Sequence, residues 1–321
     1  MSRDHGGPDA LGAPRWDFST NANACGPAPH VAEALARVDA TRYPDPASTA
    51  LKDRLAAFEG VNPSRIAIAA SASEFIGRLT AAVKRQSAHA SVFVPAPGYG
   101  DYGRAAEAWG LRRAQVPGDA SLVWVTEPAS PGGQSARIPM GRDGAVVVVD
   151  EAYAALRLEG HPPAMPATAW RLVSPNKALG LTGVRGAYAV APEGAAAWLT
   201  ALEQLSPSWP LGAHGVAMLA AWTEPATQQW VRESLDTLRT WKASQLALGE
   251  ELGWTQEPGV AAHYVARWPA VDRDAVLQGL RSHGVKLRDT SSMGLPGAVR
   301  LGVRPPDAQA ALRAAWQAVV S

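Results

Sequence analysis

Residues 172–188 read LVSPNKALGLTGVRGAY, and one lysine, Lys177, stands between an apolar stretch and a run of small residues and glycines. The chain has only five lysines, Lys52, Lys84, Lys177, Lys242 and Lys286, among 30 basic residues, so its positive charge is carried mostly by arginine. A lysine in such a stretch is either a surface charge or a chemical tool. Its neighbours decide between the two.

Upstream, VVVVDEAYAAL (146–156) is a strand of four valines that ends in Asp150-Glu151, and Lys177 follows 27 positions after Asp150. Arg185 lies eight positions beyond the lysine. An apolar strand ending in Asp-Glu can hold Mg²⁺ in a nucleotide hydrolase, but that chemistry needs a phosphate loop ending Gly-Lys-Ser/Thr. The chain contains no Gly-Lys pair. Taken alone, Asp150 could simply cap a strand end. Taken with Lys177 and Arg185 it forms the set that pyridoxal phosphate requires: a lysine for the Schiff base, an acid for the pyridine nitrogen, and cations with backbone N–H groups for the phosphate.

Outside these motifs the chain reads as an α/β protein. Its 321 residues are typical of about two domains. A formal net charge of +1 points to neither nucleic acid nor a membrane surface. No apolar run reaches the roughly 20 residues of a membrane helix, and the N-terminal residues lack an apolar signal core. One cysteine, Cys25, excludes an internal disulfide and a cysteine-based metal cluster, so a cytoplasmic setting is expected. The histidines show no metal-ligand spacing. A helix is expected over 43–60, with Asp45 as N-cap, Pro46 in its first turn and Gly60 at its end. Apolar strands at 64–70, 91–95, 122–128, 144–152, 171–174 and 186–191 alternate with segments of helical length, including 73–83. Continuous apolar strands indicate a sheet covered on both faces, with ligands at the strands' carboxyl ends. From about residue 215 the pattern changes to long helices, then strands at 263–268, 286–289 and 298–303 and a last helix from Asp307. The expected division is a large domain over 43–214 and a small one over 215–321, which residues 1–42 join.

SPNKALGLTGVRGAY resembles the lysine signature of the class I/II aminotransferases, the fold type I pyridoxal-phosphate enzymes. VVVVDEAY is similar to that family's Asp-Glu-x-Tyr strand end. NANACGP (21–27) and RYPDP (42–46) look like the histidinol-phosphate aminotransferase and threonine-phosphate decarboxylase branch. The resemblance implies a mostly parallel central sheet in the large domain and a smaller α+β domain. It gives Lys177 the covalent bond to pyridoxal 5'-phosphate and the proton shuttle. It puts Asp150 on the pyridine nitrogen, Tyr153 on the phenolic oxygen and Tyr99 against the ring. Ser174, Arg185 and the N–H groups of Ala72 and Ser73 would hold the phosphate, with Tyr43 reaching the phosphate of a partner subunit in a homodimer. Asn23, Arg288 and Arg300 would face the substrate.

The chain departs from the family pattern at three positions. TEPASPGGQ (126–134) puts Ser130 where an asparagine donor is usual. Ser71 replaces a glycine before the phosphate helix, and Ala24 replaces a proline. The expected function is transamination of a small, phosphorylated amino compound with 2-oxoglutarate as acceptor. Decarboxylation of O-phosphothreonine in cobalamin synthesis remains open, because the two reactions differ only in which α-carbon bond stands perpendicular to the ring. A regulator that binds the cofactor without turnover would need a basic DNA-binding surface that the neutral chain does not show.

Overall fold

The computed structural model describes residues 5–268 and 272–320. A seven-stranded sheet dominates it, formed by β2 (Ile66–Ala69), β3 (Ser91–Phe93), β4 (Arg112–Arg113), β5 (Leu122–Thr126), β6 (Val146–Asp150), β7 (Trp170–Val173) and β8 (Ala187–Val190). The strand order is β2-β8-β7-β6-β5-β3-β4. All neighbours pair in parallel except β8, which runs antiparallel to both β2 and β7.

Period-two alternation sends side chains to two separate cores. Leu122 and Trp124 of β5 and Val146 and Val148 of β6 enter one cluster, together with Phe75, Ile76 and Leu79 of α3 (Ala72–Gln86) and Ala106 of α4 (Gly100–Ala108). Val123, Val125, Val147 and Val149 enter a smaller cluster on the opposite face. A third cluster lies over β2 and β8, where Ile66, Ile68, Tyr188 and Val190 meet α1 (Pro29–Ala36), α2 (Thr49–Glu59) and α6 (Ala213–Trp222).

The C-terminal part is built on a four-stranded antiparallel sheet, β12-β13-β10-β9, from β9 (Thr255–Glu257), β10 (His263–Arg267), β12 (Arg288–Asp289) and β13 (Val299–Gly302). β1 (Trp16–Asp17) pairs in parallel with β11 (Val285–Lys286) beside it. Helices α8 (Arg273–Ser282) and α9 (Pro306–Val320) cover this unit, and Phe18 is buried in its core with Val285, Leu301 and Trp316. The N-terminal residues divide between cores, since Val31 and Leu35 of α1 pack with the large sheet. Helix α7 (Pro225–Glu251) does the same along its length: Val231 and Leu238 pack on the large-sheet side and Leu248 on the other.

Several boundaries differ from the sequence expectation for local reasons. Helix α2 begins at Thr49 rather than beside Pro46, because the Asp45 carboxylate accepts from the N–H groups of Ala47 (3.0 Å) and Thr49 (2.8 Å) and closes a turn first. Gly60 ends that helix as expected, at φ 67°. Helix α3 begins at Ala72 rather than at Ser73, because Ser71 caps it: its hydroxyl accepts from Glu74 N–H, and the Glu74 carboxylate accepts from Ala70 N–H in return. The stretch expected as one strand over 286–289 is split between two sheets at Leu287.

Trp124 is fully buried and stacked on Tyr102, with ring centroids 4.9 Å apart, and its indole N–H has no hydrogen-bond partner. Trp124→Ala should therefore lower stability by about 3–5 kcal/mol. Trp124→Phe should lower it by less, since it also removes the unsatisfied donor. Urea unfolding of the two variants checks the order.

Candidate active site

Strands β2, β5, β6 and β7 end at one edge of the large sheet, and reversed β8 begins there. Ala70-Ser71, Thr126, Asp150, Ser174 and Arg185-Gly186 are thereby brought together. All of these but Ala70 line one cleft, together with Ala72, Ser73, Tyr99, Ser130, Ala152, Tyr153, Asn176 and Lys177.

Lys177 projects from a turn after β7 that is held almost wholly by backbone bonds. Its carbonyl accepts from Gly180 N–H (3.2 Å) and Asn23 N–H (2.8 Å), and the Asn176 carbonyl accepts from Leu181 N–H (2.7 Å). Gly180 has φ 67°, and a Cβ there would lie 2.9 Å from the backbone carbon of Gly26. The glycine thus lets the N-terminal segment press against the lysine turn. The ammonium of Lys177 sits 5.5 Å from the centroid of the Tyr153 ring. Lys84, Lys242 and Lys286 are instead engaged by carbonyls or carboxylates elsewhere.

Asp150 is 3% exposed at the end of β6. Its Oδ2 accepts from the Tyr102 hydroxyl (2.7 Å) and its Oδ1 from Ala152 N–H (3.0 Å). Burial pushes its carboxyl above the ordinary range, opposed by the Tyr102 bond and the charge of Lys177. Glu151, next in sequence, points the other way and takes three bonds from the Arg171 guanidinium, which also bonds Glu59 (2.6 Å). The Asp-Glu pair thus splits into a cleft acid and a structural acid.

At one end of the cleft the N–H groups of Ala72 and Ser73 are the first of α3, a 15-residue helix whose dipole favours an anion. Arg185 borders the same end and makes no ion pair with a carboxylate among the described residues. The hydroxyls of Ser130 and Ser174 and the side-chain oxygen of Asn176 are buried without partners. Buried polar atoms are normally satisfied, so these orphans call for a polar ligand. The Tyr99 hydroxyl donates to Asp101 (2.8 Å) and lies 3.1 Å from the Ser73 hydroxyl, which fixes that ring over the helix start.

The remaining expected residues fall into three groups. Arg288 and Arg300 face each other as register partners on β12 and β13, both buried. Arg300 donates from Nη2 to the Ser19 carbonyl (2.9 Å), while its Nε has no partner. Burial and the Arg288 charge draw its pKa downward, and the nearby Tyr153 and Tyr99 hydroxyls act in the opposite sense. Asn23 does not offer its amide to the cleft: Nδ2 donates to the Ala178 carbonyl and the Ser234 hydroxyl, and Oδ1 accepts from Cys25 N–H. Asn23 instead ties the N-terminal segment to the lysine turn, and the amide left without partners there is that of Asn21. Tyr43 lies outside the cleft of its own chain, 79% exposed and stacked on Trp209 at 4.4 Å.

Four further residues, none of them marked by a motif role in the sequence, shape the site. Tyr102 sits one helical turn after Tyr99 in PGYGDY, a spacing that could have revealed it. Thr126 ends β5 beside Asp150 and bonds the Tyr102 hydroxyl (2.9 Å). Asn176 directly precedes the lysine. His263 packs on the Tyr153 ring at 4.6 Å and lies 3.3 Å from the Ala129 carbonyl. No metal-ligand spacing marked it, yet its inward position on β10 follows from the alternation of HYVAR.

Residues 15–129 and 121–317 match the profile of the family described as aminotransferase class I and II. The chain belongs to that family. The histidinol-phosphate aminotransferase of Haloquadratum walsbyi is 27% identical over 92% of this chain and 82% of its own. Histidinol-phosphate aminotransferase 2 of Burkholderia pseudomallei is 29% identical over 96% and 93%. Among solved structures, the histidinol-phosphate aminotransferase of Sinorhizobium meliloti in complex with pyridoxal-5'-phosphate superposes with a TM-score of 0.78 at 22% identity, over 94% of this chain and 89% of that one. The L-threonine-O-3-phosphate decarboxylase of Porphyromonas gingivalis reaches 0.79 at 16% identity, over 94% and 98%. These likenesses show the fold, fold type I of the pyridoxal-phosphate enzymes.

His263 gives the site a signature in stability. Burial and the charges of Arg300 and Lys242 push its pKa down to about 3, against about 6.5 in an unfolded chain. Between these values the unfolded chain binds the proton and the folded protein does not. The contribution is therefore complete above about pH 6.5 and is lost toward pH 3, by up to about 1.4 kcal/mol per pH unit. His263→Gln should lack that part of the slope when unfolding is followed from pH 7 to pH 4. An unchanged slope would contradict the assignment.

Proposed function

We propose that this protein is a pyridoxal-phosphate-dependent aminotransferase acting on a small phosphorylated amino compound of the histidinol-phosphate type, with 2-oxoglutarate as acceptor. The observation that carries this reading is the convergence of Lys177, Asp150 and the Arg185–α3 anion end on one cleft. The partnerless donors and acceptors there fit the cofactor's substituents.

Pyridoxal phosphate supplies, when bound, an electron-accepting ring that stabilises negative charge at the substrate's α-carbon. Lys177 would hold it covalently, and its Nζ is the group in the cleft that could take up and return a proton at the substrate's α-carbon. Asp150 would lie against the pyridine nitrogen and keep a proton there, and its burial would make that hydrogen bond stronger than one to a solvated carboxylate. Arg185, Ser174 and the Ala72 and Ser73 N–H groups would hold the phosphate, and Tyr99 would cover the ring. Tyr153 and Ser130 are the hydroxyls available to the phenolic oxygen. Ser130 is shorter than the family's usual asparagine, so Tyr153 bears more of that contact. Arg300, with Arg288 beside it, receives substrate anions in fork geometry. Exposed Tyr43 is the residue that a second copy of the chain would receive at its phosphate end, in a homodimer. A cytoplasmic location accords with this chemistry. No helix among the described residues is long and apolar enough to cross a membrane.

Product analysis by mass tests the reading. Protein loaded with pyridoxal phosphate and given histidinol phosphate with 2-oxoglutarate should produce glutamate, and Lys177→Ala should produce none. Carbon dioxide from O-phosphothreonine, with no glutamate in the first reaction, would replace transamination by decarboxylation and leave the cofactor site standing.

A further inference from the structure

Outside the cleft, a compact ion cluster lies where the N-terminal residues cross the C-terminal unit. The Asp9 carboxylate accepts two bonds from the Arg281 guanidinium (2.9 and 2.8 Å) and lies 3.0 Å from the Lys286 ammonium. Both cations also reach the backbone around it: Arg281 donates to the Gly12 carbonyl (2.9 Å) and Lys286 to the Gly7 carbonyl (2.7 Å). Asp9 and Gly12 exchange backbone bonds that close a tight loop. Residues 6–12 thus form a strap pinned by three charges to α8 and β11.

The strap presses on a residue that the substrate side uses. Gly7 N–H donates to the Ser19 hydroxyl (2.9 Å), which in turn donates to Asp17 (2.5 Å). Gly6 lies so close to Ser19 that a Cβ on it would stand 2.2 Å from the Ser19 carbonyl oxygen. That oxygen is the acceptor for Arg300 Nη2. On the other side Arg304 donates to the carbonyls of Asp17, Thr20 and Ala22. Ser19 is therefore held between Arg304 and the strap, and Arg300 takes its orientation from Ser19.

We infer that Asp9 is a positioning residue for substrate: through the strap and Ser19 it orients the Arg300 guanidinium for the carboxylate of a small dicarboxylate or amino acid. The inference rests on the function proposed above, in which Arg300 receives substrate anions. It goes further in giving the N-terminal segment a task in substrate affinity, separate from cofactor binding. Because Asp9 lies at the surface, the effect should weaken as salt screens the cluster.

The test is calorimetric titration of the cofactor-loaded protein with succinate, alongside KM and kcat for 2-oxoglutarate. Asp9→Ala should weaken succinate and raise the 2-oxoglutarate KM by roughly 5- to 10-fold, in the range of coupling between linked residues. Its kcat and cofactor absorbance should match those of wild type. Asp9→Glu should restore most of the affinity. Gly6→Ala, which shifts the Ser19 carbonyl without touching any charge, should reproduce the loss and keeps the test decisive if Asp9→Ala folds poorly. Wild-type affinity in both Asp9→Ala and Gly6→Ala would overturn the inference alone. A wild-type protein that binds no succinate would overturn it together with the substrate role of Arg300.

Discussion

The cleft depends on a carboxylate kept out of water. Asp150 is nearly inaccessible, and such a charge is costly unless it is bonded and paired. The Tyr102 hydroxyl, the Ala152 N–H and the charge of Lys177 offset that cost. Each comes from a different part of the fold. The β5–β6 register sets Thr126 opposite Asp150, Thr126 bonds the Tyr102 hydroxyl, and Tyr102 is held flat on Trp124. The four-valine strand is thus more than a core element. Its two faces pack into separate clusters while its end carries the acid to the edge where the other strands stop.

The second constraint is the N-terminal segment, which crosses from one core to the other. Phe18 anchors it in the C-terminal unit and helix α1 anchors it beside the large sheet. Between those anchors it touches both halves of the chemistry. Ser19 receives Arg300, and Asn23 clasps the Lys177 turn by backbone and side chain. A displacement of residues 17–23 would therefore move the substrate arginine and the lysine turn together.

Much of this was legible in the sequence. Apolar runs ending in Asp150 and Ser174, and the glycines after Lys177, report local constraints that hold in any surroundings. A strand buried on both faces must be apolar, and a turn pressed against another backbone must contain glycine. The α/β class, six of the seven strands of the large sheet, and the lysine, acid and arginine that line the cleft follow from such constraints, whereas the exposed two-residue β4 carries no apolar run. What could not be read depends on long-range contacts. Asn23 looks like a free amide until Ala178 and Ser234 are seen to engage it. Asp45 looks like a helix cap until its carboxylate is seen to close the preceding turn. His263 carries no motif, and only the approach of distant segments gives it neighbours. The ion cluster at Asp9 joins residues more than 270 positions apart.

Of the five lysines, Lys177 is the one that lines the cleft, and the proposed chemistry requires it to bond the cofactor. Borohydride reduction of the protein incubated with pyridoxal phosphate, followed by peptide mapping, tests it most directly. The cofactor's mass should be retained on the peptide containing Lys177, and Lys52, Lys84, Lys242 and Lys286 should remain unmodified. Attachment spread over several lysines, or absent from Lys177, would contradict it.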